Sequence, residues 1–166
     1  EKIAPGAFLI DGPGEYESRG VYIRGIDFNF GKAGVAQDAA APKSFAMGTI
    51  YTIEAEEMKL CHLGNFSDKE LAAAQVEKIG NVDILMFPAG DGKNFGAKEA
   101  MRVVSQIEPS IAVPMNYEIP KLKLEAGDLK EFLKTAGISQ TEPLAKLTIK
   151  KRDINLEEAK IIVLNP

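Results

Sequence analysis

The apolar residues change period part-way along the chain, and few architectures accommodate both rhythms. Over 15–28 ("EYESRGVYIRGIDF") Tyr16, Val21, Ile23 and Ile26 alternate with Glu15, Glu17, Arg19 and Arg24. That two-residue period predicts two strands with one wet face each, joined by a turn or bulge at Gly20. From residue 83 strands alternate with helices. "DILMF" (83–87) reads as a strand, and "AKEAMRVVSQI" (97–107) as a helix buried through Ala100, Val103, Val104 and Ile107. "IAVPM" (111–115) is a strand whose Pro114 marks an end or an edge. "DLKEFLKT" (128–135) is a short helix stopped by Gly137, and "KLTIK" (146–150) and "KIIVL" (160–164) are two closing strands. A β-rich first half feeding strand–helix–strand units predicts an α/β fold in layers, with helices covering a sheet.

The first half adds detail. The apolar run at 8–10 ("FLI") stops at the turn signal "DGPG". Residues 31–48 are small and unpatterned, as in a long mobile loop. Residues 49–64 hold two apolar runs around Glu56 and Glu57, a hairpin buried on both faces because Ile50, Ile53, Met58, Leu60 and Leu63 do not share a parity. Ser67 and Glu70 have capping-box spacing, so a helix is expected to start at about Ser67 and stop at Gly80.

The chain of 166 residues is long enough for one domain, spanning 1–166, with its own core. A net charge of −4 disfavours nucleic-acid and anionic-membrane partners, which need concentrated Lys and Arg. The basic run Lys146, Lys150, Lys151 and Arg152 reads as the wet face of a strand. One cysteine rules out an internal disulfide and fits a reducing, cytoplasmic setting. No apolar run reaches the roughly 18 residues that span a bilayer.

Chemistry is expected where strands end. In α/β sheets functional loops lie beyond the carboxyl ends of strands. Three such ends are "HLGN" (62–65), "PAGDG" (88–92) and "PMNYEIP" (114–120). Gathered at one rim, they would bring His62, Asn65, Asp91, Asn116, Tyr117 and Glu118 to a pocket. Each also has a plainer reading. His62 sits among apolar neighbours and reads as a core or supporting histidine. Asn65 and Asn116 suit turns, because their side chains bond local backbone and tolerate left-handed conformations. Asp91 fits a Gly-flanked turn, and Cys61 reads as a small buried hydrophobe. "GDGKNFG" (90–96) lacks the Gly-Lys-Ser/Thr of a phosphate loop. The histidine count is more restrictive: with one in the whole chain, a zinc site built mainly of imidazoles cannot be assembled from these residues.

Four phrases taken in order, "DGPGEYESRGVYIRGI", "IYTIEAEEMKLCHLGN", "VDILMFPAG" and "KEAMRVVSQIEPSIAVPMNY", resemble the metallo-β-lactamase superfamily. The nearest branch is the small bacterial metal-dependent hydrolase-like proteins related to ascorbate-phosphate lactonases. The resemblance runs over 8–166. It implies a four-layered αβ/βα sandwich with a dinuclear, usually zinc, site on the rim between sheets. It also implies that the N-terminal part of that fold, with the His-x-His-x-Asp-His motif, lies before Glu1. In that register Asn65 stands where the family has a metal-bridging Asp, and Asn116 where it has a ligand His. A histidine sometimes present in the region matching 27–45 is absent. An Asp bridge supplies negative charge shared by two cations and helps acidify the bound water, which a neutral amide cannot do. Zinc also favours imidazole nitrogen over an amide.

The reading that follows is a fold kept and a metal site decayed: a non-catalytic binding or assembly module with an undetermined small-molecule ligand, an oligomer being compatible with it, and no cofactor expected from this chain. The alternative is an active hydrolase of a phosphorylated lactone, ester or phosphodiester, using zinc or manganese and ligands from an upstream segment. A nucleic-acid-associated role, since the superfamily includes nucleases, is opposed by the acidic balance and the lack of a basic or aromatic platform.

Overall fold

The computed structural model describes residues 6–29, 47–91, 95–119, 126–154 and 159–166. Seven strands form one mixed sheet in chain order: β1 (Gly14–Ser18), β2 (Val21–Asn29), β3 (Met47–Ala55), β4 (Met58–His62), β5 (Ile84–Pro88), β6 (Ile111–Met115) and β7 (Lys160–Ile161). The first four are antiparallel and β4 through β7 are parallel. The change of period in the sequence is thus a change of strand direction. Two-residue turns join β1 to β2 and β3 to β4, whereas the parallel members need the helical crossovers α1 (Ala73–Ile79), α2 (Ala97–Ile107) and α3 (Leu129–Thr135).

Both hairpin turns use left-handed backbone. Arg19 and Gly20 have φ of 53° and 79°, and Glu56 and Glu57 have φ of 51° and 62°. Two successive positive φ values match the right-handed twist of the flanking strands.

Alternation along the parallel strands divides the core in two. Leu85, Phe87 and Ala112 join the helical side with Val103, Val104, Ile107 and Phe132. Ile84, Ile111 and Val113 face the opposite side with Leu147, Ile149 and Ile162. The sheet with its helices on one face is the α/β layering expected of a metallo-β-lactamase-like fold. Among the described residues no helix is long and apolar enough to cross a membrane.

Several expectations are corrected. The helix expected from Ser67 begins six residues later, at Ala73. Gln106 on α2 explains the delay: its side chain accepts from Leu71 N–H at 2.8 Å and donates to the Leu71 carbonyl at 2.9 Å. That carbonyl is thereby taken from a helical ladder, and Gln75 instead returns its own Oε1 to the Ala72 N–H at 2.9 Å. Gly80 does end the helix, at φ 63°. The segment 146–150 is not a strand. Leu147 and Ile149 lie on the sheet face without joining its ladder, so their alternation reported one dry side only. Lys151 is more than a wet residue, since its Nζ meets Asp83 Oδ1 at 2.9 Å. The run at 8–10 is also outside the sheet, with Phe8 65% and Leu9 56% exposed. Of the loop expected over 31–48, residues 31–46 lie outside those described, while Met47 and Gly48 already belong to β3. Part of the discounted 90–96 phrase, residues 92–94, lies outside them too.

Candidate functional site

Parallel pairing of β4, β5 and β6 brings their carboxyl ends to one rim. Leu60 pairs with Ile84, and Ile84 with Ile111, so the chain leaves the three strands side by side. Leu63 N–H donates to the Met86 carbonyl at 2.9 Å, and Ala89 N–H to the Met115 carbonyl at 2.8 Å, which carries the registry into the loops.

The first loop is held from both ends. Gly64 N–H donates to His62 Nδ1 at 3.0 Å, and Phe66 N–H to the Leu63 carbonyl at 3.2 Å. Phe66 then plugs into the core at 1% exposure, its ring 5.3 Å from that of Phe28 and 6.2 Å from that of Phe95. Exposed Asn65 is left on the rim between these anchors. His62 is therefore a loop-holding residue. Burial, the larger influence, pushes its pKa below the usual imidazole value, and a backbone hydrogen bond pulls weakly the other way. Since Nδ1 accepts, the neutral ring carries its proton on Nε2. Neighbouring Cys61 is fully buried, and burial raises its thiol to about 12 despite the opposing charge of Lys59, so it is no thiolate ligand.

The second loop is closed by Asp91, whose Oδ1 accepts from Phe95 N–H at 2.9 Å while its own N–H donates to the Phe95 carbonyl at 2.8 Å. The third follows β6. Asn116 has φ 53°, and Tyr117 donates its hydroxyl to the Leu164 carbonyl at 2.6 Å. Loops two and three cross at Gly90 and Gly127, where Gly127 N–H donates to the Gly90 carbonyl at 3.1 Å. A Cβ on Gly127 would stand 2.6 Å from the Gly90 Cα, so the crossing admits no side chain there. Pro114 sits where β6 has outrun its pairing with β7, consistent with a locally open edge.

Asn65, Asp91, Asn116 and Tyr117 line one cavity of about 670 Å³. Sequence reasoning also placed His62 and Glu118 there, and neither lines it: His62 is engaged with Gly64, and exposed Glu118 gives its N–H to the Gly127 carbonyl at 3.0 Å. The apolar walls from Met86, Val113 and Leu164 were not anticipated, although strand alternation already placed Met86 and Val113 on one face. The two asparagines, 51 residues apart in sequence, touch: Asn116 Nδ2 donates to Asn65 Oδ1 at 2.9 Å.

A dinuclear metal centre does not fit these residues. The Asn65 oxygen already accepts from Asn116, and the four polar residues named above include one carboxylate and no imidazole. Among the described residues no three His, Cys, Asp or Glu side chains are grouped to hold an ion.

The fold has known counterparts. A structure from Thermotoga maritima, described as a zinc-dependent hydrolase of the metallo-β-lactamase superfamily, aligns with TM-score 0.69 and 29% identity over 93% of this chain and 70% of that one. A metallo hydrolase from Ignicoccus hospitalis shares the fold at TM-score 0.52 and 17% identity, covering 96% of this chain and 57% of that one. In sequence, a metal-dependent hydrolase of Thermococcus onnurineus is 35% identical over 91 residues, 52% of this chain and 38% of its own. One from Pyrococcus furiosus is 28% identical over 120 residues, 70% of this chain and 42% of its own. The chain thus spans less than half the length of these curated relatives. The family model described as a beta-lactamase superfamily domain matches residues 1–116, which include β1 to β6, α1 and α2. With that match, that sheet and those neighbours, the chain belongs to the metallo-β-lactamase superfamily.

Proposed function

We propose that this chain is a metallo-β-lactamase-fold protein whose metal site has decayed and which works as a non-catalytic binding or assembly module. The observation that supports the reading is the direct Asn116–Asn65 amide hydrogen bond of 2.9 Å. It lies on the rim formed by the ends of parallel strands, at the two positions the family resemblance assigns to metal ligands. The clasp occupies the Asn65 carbonyl that a bridging ligand would offer, and a neutral carbonyl cannot offset the charge of two cations.

The test is metal content and activity on one sample. Protein equilibrated with zinc or manganese and then dialysed should retain well under one equivalent and leave bis(p-nitrophenyl) phosphate and a simple lactone intact. Retention of about two equivalents, as two-metal hydrolases hold, with loss on changing Asn65 or Asn116, would refute the reading. A second reading is favoured by the relatives' description as metal-dependent hydrolases. In it, zinc or manganese is held by ligands on an upstream segment, and the whole protein hydrolyses a phosphorylated lactone, ester or phosphodiester. The same measurement made on a longer form containing that segment separates the two.

A further inference from the structure

We infer that the 670 Å³ cavity is a binding site for an uncharged small molecule with a carboxamide- or lactam-like edge on an apolar body. The inference rests on the non-catalytic reading of the same site and deepens it. Its size is that of an ordinary small-molecule pocket, roughly 300–1,000 Å³.

The amide pair sets the recognition. Each Asn side chain carries one amino group and one carbonyl. The clasp uses a single Asn116 N–H and the Asn65 carbonyl, and among the described residues no further partner holds either side chain. The Asn65 amino group and the Asn116 carbonyl therefore remain for a ligand. Whichever amide donates, the remainder is the same: one amino group from one asparagine and one carbonyl from the other. A ligand edge bearing both an N–H and a C=O matches that remainder and carries no net charge.

Charge and surface lead to the same ligand class. Among the described lining residues the single acidic side chain is that of Asp91, and there is no Lys, Arg or His to neutralise a phosphate or carboxylate. The Tyr117 hydroxyl is committed to Leu164. Met86, Val113, Pro114, Met115, Ile119 and Leu164 provide apolar wall for the rest of the molecule.

Benzamide, benzoate and phenyl phosphate share one ring and differ in the head group, so they form the probe set. Titration of each into chelator-treated, ¹⁵N-labelled protein is followed through the side-chain amide signals of Asn65 and Asn116. Benzamide should move both with millimolar affinity and bind about tenfold more tightly than either anion, the factor expected when a polar edge loses its partner. Asn65→Leu together with Asn116→Gly, which keeps the left-handed backbone, should abolish the preference. Equal or tighter binding of either anion overturns the ligand class. So does benzamide that leaves both signals unmoved at tens of millimolar, or that binds the double variant unchanged. Hydrolysis of phenyl phosphate by the same protein once zinc is added back would instead overturn the non-catalytic reading beneath it.

Discussion

Phe66 links the core to the candidate site, and truncating it tests that link. Its side chain is 1% exposed and its ring lies 5.3 Å from Phe28 and 6.2 Å, edge-on, from Phe95. Phe66→Ala removes the six ring carbons from a closed space between β2 and the loop leading into α2. Buried Phe→Ala changes cost about 3–5 kcal/mol from lost transfer energy and the residual cavity. The two aromatic pairs, worth about 0.5–1.5 kcal/mol each beyond area, put this site toward the upper end of that range. For a chain of this length about 2–4 °C of melting temperature is lost per kcal/mol, so a fall of roughly 6–20 °C is expected. Phe66→Leu keeps most of the volume and should cost clearly less than Phe66→Ala. Urea unfolding followed by circular dichroism gives the free energies, with an unchanged slope showing that the same surface is exposed on unfolding. A loss under about 1 kcal/mol for Phe66→Ala, the size of an ordinary surface substitution, would refute the claim that this ring anchors the rim loop.

Gly127→Ala should destabilise by about 1–3 kcal/mol, the usual penalty for overpacking, because the added carbon meets Gly90 and Ala89 backbone atoms within 3.0 Å; a melting temperature within 1 °C of wild type, under the roughly 2 °C that 1 kcal/mol produces, would contradict the crossing. At position 116, where φ is 53°, Ala should cost about 1–2 kcal/mol of left-handed strain while Gly costs less, so chemical denaturation should rank Asn116→Gly above Asn116→Ala. His62 favours its neutral form when folded, so the unfolded chain binds more protons as pH falls below its unperturbed value of about 6.5. The contribution of His62 is complete above that pH and is lost as pH falls through the depressed folded value. Wild type should therefore lose stability relative to His62→Gln between pH 7.5 and 5, and parallel pH profiles would refute the burial of the His62 ring as the cause of its lowered pKa.

Regular elements were legible where local pattern and tertiary demand agree. The helix over 97–107 appears with those bounds because its apolar positions at 100, 103, 104 and 107 are the ones that bury. The strands at 83–87 and 111–115 appear within one residue, as continuous apolar runs enclosed on both faces. Failures came where a distant partner decides. The Ser67-to-Glu70 spacing is a genuine local signal, yet Gln106, 35 residues beyond Leu71, captures the backbone that a helix would need. Alternation over 146–150 showed one dry face and could not show whether a strand edge was available to it. The rim itself was legible, since parallel strands must end together. That its two amides bond across 51 residues was not, because turn chemistry explains each asparagine alone.

The local and the functional readings of Asn116 are usually set against each other, and here they describe different atoms. The left-handed backbone at φ 53° is imposed by the turn out of β6, which must redirect the chain so that Tyr117 can reach Leu164. Asparagine tolerates that conformation better than most residues, which accounts for its backbone. It does not account for the side chain, since a turn residue is free to bond its own loop, whereas this amide crosses to another. The same division holds at Asn65, where Phe66 and His62 fix the loop without any help from the amide. The fold therefore presents two side chains toward each other whatever their chemistry. Metal ligands at these positions would yield an ion site, and amides yield a neutral hydrogen-bonding edge on unchanged scaffolding. Retention of the scaffold is thus weak support for retained catalysis, and the residues at 65 and 116 carry the functional argument.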